Sequence, residues 1–416
     1  SLALPWGVSL GGSRLGGGPL LVPVVVGLLL LTIVLRRRGV GLRWSGPEPV
    51  LAALCLSALV SLVYGNSLVF ARSPAPLPAQ VAQLGVVWLS AATFVLVAWG
   101  VRSTVWLRRL TLLFLALGSV YVLGRLGQSL SPLIALFPDG AVGSLFWTWL
   151  AAMGAALALL DTSMRTPLRL ALGALVVLAF WVALAQSARW ISGWLPPAIA
   201  VSAVLLVARP WLGLPVVGAA VGVGLWRLDW LLENLVVTNS YSLMTRLEAW
   251  KVVVDIIETS ALLGTGPANY YWYASTYPIL GWYVPFSSHN QYLDLVAQVG
   301  LVGAALFLWF CWRVGRVCWC ETREAPEGGF ERAFAIGALG GLVGSLAAGG
   351  LADWILPFVY NTGLKTMASS LLFWLFLGGV VAQRRARAGV VVPEPGAAAA
   401  PPVSRWVPAV GAVGQR

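Results

Sequence analysis

"LRLALGALVVLAFWVALAQ" occupies residues Leu168–Gln186. Apart from Arg169 near its start it carries no charge. It is about as long as the ~20 residues an α-helix needs to cross a hydrocarbon core ~30 Å thick. Runs of this kind recur along the chain, at roughly 19–35, 48–65, 80–101, 106–124, 143–160, 168–186, 194–208, 211–226, 289–312, 333–351 and 366–383. Composition agrees: 59% of the 416 residues are hydrophobic and only 10% are charged, and mean hydropathy is +0.84. A soluble chain of this length would form roughly two or three domains, each with about a quarter of its residues charged. This sequence cannot supply such surfaces. It also lacks the strand-length alternation of an outer-membrane barrel. The fold class is therefore an all-α polytopic membrane protein of about 11–12 transmembrane helices. One long extracytoplasmic segment separates the helix ending near 226 from the helix starting near 289.

Arginines at the ends of these runs set the orientation. Arg165 and Arg169 precede the quoted run, and loops of the same parity hold Arg36, Arg37, Arg38, Arg43, Arg102, Arg108, Arg109, Arg209, Arg313, Arg316, Arg323, Arg332, Arg384, Arg385 and Arg387. Loops of opposite parity carry far fewer, with Arg72, Arg125 and Arg189 among them. By the positive-inside rule the arginine-rich set is cytoplasmic. The net charge of +12 then reflects membrane orientation and not a nucleic-acid partner. Residues 1–18 read as an N-terminal extracytoplasmic segment or the remnant of a preceding helix, with a cleaved signal peptide as the alternative. Residues 19–226 read as the first eight spans, 227–288 as an extracytoplasmic loop, 289–388 as the last three spans, and the Ala/Pro/Gly-rich 389–416 as a disordered cytoplasmic tail.

Within the long outer loop, Leu247, Trp250, Val254, Ile257 and Leu262 approximate a 3.6-residue stripe, opposite Glu248, Lys251, Asp255 and Glu258. That pattern predicts an amphipathic helix lying against the bilayer or the mouth of the bundle. A Gly/Pro break and the aromatic run Tyr270–Tyr273 follow. No nucleotide-binding motif, repeat period or DxD-like acidic cluster occurs on this side. The four cysteines lack metal-ligand spacing and read as free thiols.

Three basic residues on the outer side could carry chemistry. Arg189, beside Trp190, is either a snorkelling residue at headgroup level or an anion ligand. Arg246 either pairs with Glu248 or Asp255, or stands free for a ligand. His289, the only histidine in the chain, either starts a helix as a hydrogen-bonded neutral ring or exchanges a proton with substrate, since its ordinary pKa lies near ambient pH. Two guanidinium groups and an imidazole on one face suit an anionic substrate, because arginine is the bidentate partner of phosphate oxygens.

These residues also sit in recognisable strings. Arg189 lies near the outer end of a mid-chain span. It is followed by R-x-x-x-W (Arg246, Trp250), G-x-G (Gly264, Gly266) with Asn269, H-N-x-Y-L (His289, Asn290, Tyr292, Leu293), and G-L-V-G from Gly300 to Gly303. Together they resemble the O-antigen ligase family, which shares a superfamily with O-antigen polymerases and protein O-oligosaccharyltransferases. The resemblance is strongest over Arg189–Gly303. It departs from the pattern at "SALLGTGPAN" (Ser260–Asn269), where the proline usual before G-x-G is missing.

What the resemblance implies is a metal-independent, inverting membrane glycosyltransferase of about twelve spans that needs no cofactor. It would move a glycan from undecaprenyl diphosphate to an acceptor hydroxyl, on lipid A–core in ligases of lipopolysaccharide biosynthesis or on a growing polysaccharide in polymerases. The enzyme would sit in the bacterial inner membrane with its site on the periplasmic face. Arg189 and Arg246 would bind the diphosphate, and His289 would activate the acceptor. Asn290, Tyr270, Tyr271 and Trp250 would contact substrate or hold the imidazole. A transporter of lipid-linked or anionic cargo is the reading from another class. It favours charges midway through spans, whereas Arg125 and Asp161 fall near span ends.

Overall fold

The computed structural model describes residues 7–10, 13–16, 19–25, 46–67, 73–137, 143–187, 190–229 and 240–388. The tail from 389 onward and most of the run at 19–35 lie outside the described residues; 19–25 are helical. The described part of the N-terminal segment is a small antiparallel hairpin of β1 (Gly7–Leu10) and β2 (Ser13–Gly16). The rest is a helical bundle: α1 (Glu48–Gly65), α2 (Leu77–Gly100), α3 (Thr104–Gly124), α4 (Ser144–Leu160), α5 (Thr166–Ser187), α6 (Ile191–Ala208), α7 (Pro210–Trp226), α8 (Ser240–Glu258), α9 (Asn269–Ala274), α10 (Gln291–Glu324), α11 (Phe330–Gly349) and α12 (Met367–Arg387). Eight of the described helices are long and apolar enough to cross a membrane, and α4 and α7 are shorter apolar helices. The chain is a polytopic α-helical membrane protein.

Helix α4 runs through the centre and is buried along its length from Ser144 to Leu157. Trp149 stacks on Phe376 of α12 with ring centroids 5.0 Å apart. The peripheral helix α7 instead presents Trp211, Leu214, Leu225 and Trp226 outward, a surface suited to lipid and too apolar for water. Close helix packing rests on small residues. A Cβ at Gly344 of α11 would stand 2.7 Å from the Pro196 carbonyl oxygen of α6.

One end of the bundle carries a belt of ion pairs. Glu48, starting α1, meets Arg385 at the end of α12 at 2.5 Å. Glu321, near the end of α10, holds Arg387 at 2.9 Å. Asp161, capping α4, holds Arg108 near the start of α3 at 3.1 Å. The Thr162 hydroxyl then donates to the Gly328 carbonyl in the α10–α11 loop at 3.1 Å. Connectivity therefore puts the end of α3 and the starts of α10 and α12 at the opposite end, where the functional side chains gather. Helix α10 continues to Glu324, well past the 312 expected from hydropathy. At 1.5 Å per residue its 34 residues span about 50 Å, and it is broken once, at Gly300.

Candidate functional site

The break in α10 anchors the site. Gly300 has φ +69° and ψ −179°, which ruptures the helical ladder and frees polar backbone groups that must find partners. The loop after α8 supplies them. The amides of Thr265 and Gly266 donate to the carbonyls of Ala297 and Gln298 at 2.8 and 3.0 Å, and the amides of Leu301 and Val302 donate to Ala261 and Leu262 at 2.8 and 3.3 Å. This intimacy explains the glycines. Gly264 has φ +74°, and a Cβ there would lie 2.5 Å from the Gln298 carbonyl; one at Gly300 would collide with the Leu262 carbonyl oxygen. Asn269 locks the loop onto α1 and the segment before α2. Its Oδ1 accepts from the Ala75 amide at 2.8 Å, and its Nδ2 donates to the Thr265 carbonyl at 2.9 Å and toward that of Gly65 at 3.5 Å. The G-x-G string and Asn269 thus form the joint on which the start of α10 is mounted, and they close without the missing proline.

Helix α8 lies across that joint. Of the stripe expected to lie against the bilayer or the bundle mouth, Leu247, Val254 and Leu262 are exposed and Trp250 and Ile257 are half-buried; Ala249, Val252, Val253 and Ile256 are the buried residues. This helix is apolar on two faces. The smaller residues pack against Tyr270, Tyr273, Ala297 and Phe358, and Leu247 and Val254 point outward. The helix begins at Ser240, which puts Arg246 in its second turn. Trp250, one turn after Arg246 on the same side, donates its indole N–H to the Ser288 carbonyl at 2.7 Å. That bond docks the Arg246 face of α8 against the residue preceding His289.

His289 itself is backbone-strained. Its φ is +51°, a region in which non-glycine residues are uncommon and cost about 1–3 kcal/mol. Both neighbours are clamped. Trp250 holds the Ser288 carbonyl, and the Ser288 hydroxyl oxygen accepts the Asn290 amide at 3.0 Å. Asn290 Oδ1 caps α10, accepting from Tyr292 and Leu293 at 3.0 and 3.3 Å. The imidazole is half-buried. Its pKa lies below the ordinary histidine value because burial disfavours the cation. The Arg246 guanidinium pushes it further down, and Asp353 pulls partly back. Arg246 makes no ion pair among the described residues; Lys251 takes Glu248 at 2.7 Å. Burial lowers the pKa of Arg246 as well. A neutral imidazole thus stands beside a cation that has no ion-pair partner among the described residues.

Behind it lies a buried acidic network. Asp294 accepts from Ser288 Oγ at 2.6 Å and from the Tyr270 hydroxyl. Asp353, in the α11–α12 loop, accepts from Thr362 Oγ1 at 2.6 Å, from the Phe358 amide at 2.5 Å and from Asn361. Burial raises its carboxyl above the usual carboxylate range. Gln291 straps this loop to the start of α10, its Oε1 accepting from the Ile355 and Leu356 amides at 3.1 and 2.8 Å. Among the described residues no group of three or more His, Cys, Asp or Glu side chains is placed to hold a metal ion.

The structure brings His289, Arg246, Trp250 and Asn290 together. Arg189 lies outside the described residues, although its neighbour Trp190 is at the same end. Tyr270 is fully buried, bonded to Asp294 and stacked on Phe358 at 5.0 Å. It therefore supports the site from behind and does not form a sugar-binding lip. Tyr271 is half-buried and stacks on Tyr360 at 4.5 Å, and Trp272 is exposed. Sequence reasoning missed Asp353 and Ser288. Asp353 is 64 residues from His289, and its one signal is a lone acid between two apolar runs.

Residues 149–308 match the family model described as O-antigen ligase. The match covers Arg189, Arg246, His289 and the Gly300 break and stops short of Asp353. No curated protein matches the chain significantly.

Proposed function

We propose, from a chain whose residues 149–308 match the O-antigen ligase family model, a membrane transferase that moves a glycan from a polyprenyl diphosphate to an acceptor hydroxyl at the end of the bundle holding His289. The observation that carries this reading is the neutral imidazole of His289 beside the guanidinium of Arg246, which has no ion-pair partner among the described residues. In one displacement the acceptor oxygen gives its proton to an imidazole nitrogen and bonds to the anomeric carbon. The bond from that carbon to the diphosphate oxygen breaks, and the configuration inverts. A positioned histidine base contributes about 10²–10⁴-fold. Arg246, with Arg189 as a second ligand, orients the diphosphate and takes up the charge on its leaving oxygen. In this reading arginines carry that charge, so a chelator leaves the rate unchanged. The driving force is the donor's own diphosphate linkage.

The ion-pair belt, rich in arginine, is assigned to the cytoplasmic side by the positive-inside rule. This supports a site on the periplasmic face of the bacterial inner membrane. Undecaprenyl diphosphate is the donor carrier, and a lipid A–core hydroxyl the first acceptor, as in lipopolysaccharide biosynthesis. A growing glycan chain is the acceptor if the protein is a polymerase. Incubating the purified full chain with a lipid-linked oligosaccharide alone separates the two: elongation means polymerase, and no product until an acceptor is added means ligase. The test of the chemistry is His289→Ala. Transfer should fall by about 10²–10⁴-fold with donor binding retained; unchanged transfer would remove His289 from the mechanism, and lost donor binding would make it a ligand instead of a base.

A further inference from the structure

A second cleft opens at the same end of the bundle, between the ends of α3 and α5, the starts of α4 and α6, and the α11–α12 loop. Its volume of about 480 Å³ falls in the range of about 300–1,000 Å³ typical of small-molecule sites. Three tryptophans line it: Trp147, Trp190 and Trp354. Trp190 and Trp354 meet edge to face at 6.2 Å, and Trp190 is 37% exposed, so an indole face remains open to a ligand.

Two cations face the same space, Arg125 and Lys365. Neither has a carboxylate partner among the described residues, in contrast to the arginines of the belt. Arg125 is held in place: its Nε–H donates to Gln186 Oε1 at 3.1 Å, and the Gln186 amide donates back to the Arg125 carbonyl. A guanidinium fixed through Nε has its fork pre-aimed for a bidentate anion. Lys365 sits in the turn Leu364–Thr366 that leads into α12. A cation at a helix start is unfavourable to the dipole, so helix stability does not account for it. Asn361 and Thr362 complete the wall, and the same two side chains hold Asp353 of the His289 network. The cleft and the imidazole therefore share a loop.

Indole faces that take the apolar side of a sugar ring, amide and hydroxyl groups, and a pre-aimed cation pair describe one ligand chemistry. We infer that this cleft binds an acidic saccharide, with a carboxylate-bearing sugar ring against the tryptophans and its acid on Arg125 and Lys365. Both cations, and every lining residue except Val182, Ala183 and Trp190, fall outside the stretch matched to the O-antigen ligase family. The site is therefore a feature of this chain that the family match does not assign. The identification of the ligand as a saccharide rests on the transfer reading above; its negative charge does not.

The experiment is isothermal titration of the purified full chain, in nanodiscs of zwitterionic lipid, with trigalacturonate, its neutral methyl ester and inorganic diphosphate. Trigalacturonate should bind, the ester should bind at least tenfold more weakly, and Arg125→Gln and Lys365→Ala should each weaken trigalacturonate at least tenfold. His289→Ala should leave this binding unchanged, which separates the cleft from the transfer chemistry: loss of transfer in His289→Ala bears only on the latter. Equal binding of acid and ester, or variants that bind like the parent, would overturn the assignment. So would diphosphate binding as tightly as trigalacturonate with the same dependence on Arg125 and Lys365, which would make this a phosphate site. Anionic lipid added to the nanodiscs that abolishes trigalacturonate binding would make it a lipid headgroup site, with the same consequence.

Discussion

The two ends of the bundle treat charge in opposite ways. At the arginine-rich end, Glu48, Asp161 and Glu321 are nearly or wholly buried and each holds an arginine. At the other end Asp353 is held by hydroxyls and amides, and Asp294 accepts hydroxyls at Oδ1 alone and keeps a buried Oδ2 without a hydrogen bond among the described residues, while Arg246 has no acid to meet among the described residues. The first end uses its charges to hold helix termini together; at the second, Arg246 has no ion-pair partner among the described residues and is the cation we propose for the diphosphate. One sequence rule, arginine inside, orients the molecule; the exceptions to it mark where function is to be sought.

Substitutions that break the comparison should have different readouts at the two ends. The largest effect after loss of His289 belongs to Arg246→Ala. Removing a preorganised charge-stabilising donor costs about 2.7–4 kcal/mol, so transfer measured as kcat/KM should fall by about 10²–10³-fold with little change in Tm. Arg246→Lys keeps the charge and loses the fork, and should recover only part of that. At the belt, Glu48→Gln should do the reverse. Leaving Arg385 without its carboxylate should lower stability by about 1–3 kcal/mol, read as a lower Tm, with kcat per folded molecule unchanged. The smallest change sharpens the geometry. Trp250→Phe deletes only the indole bond to the Ser288 carbonyl, worth about 0.5–1.5 kcal/mol, and should slow transfer several-fold without abolishing donor binding. A Trp250→Phe enzyme as fast as the parent would show that the dock of α8 on His289 is not needed for chemistry.

Most of the bundle was legible in the sequence because membrane spans announce themselves by length and apolarity. The run Leu168–Gln186 became α5 (Thr166–Ser187), and the arginines at loop ends became the belt. What failed depends on contacts made at long range. The stripe read for α8 left open whether it met the bilayer or the bundle; the helix offers two apolar faces, and only the partner surface of Tyr270, Tyr273 and Phe358 chooses which one is packed. Tyr270 looked interfacial in a run of four aromatics; its burial follows from Asp294, which sits one helix away. The glycines of G-x-G and Gly300 are visible as letters, but their purpose, exchanging backbone bonds across a broken helix, is visible only once the two strings meet. Asp353 could not be paired with His289 from spacing at all.

The charge environment of His289 offers the most direct test. In the proposed mechanism its neutral imidazole is the base, so transfer should fall as pH drops through its pKa. Burial and Arg246 hold that pKa below the ordinary histidine value. The acid limb of kcat/KM, which reports the free enzyme, should therefore lie below pH ~6.5 in the parent and move upward in Arg246→Gln, where the neighbouring cation is gone. Within the parent, the limb of kcat should lie above that of kcat/KM, because a bound diphosphate neutralises Arg246. An acid limb that stays in place when Arg246 is removed would contradict the account, since the two groups would then not share a site.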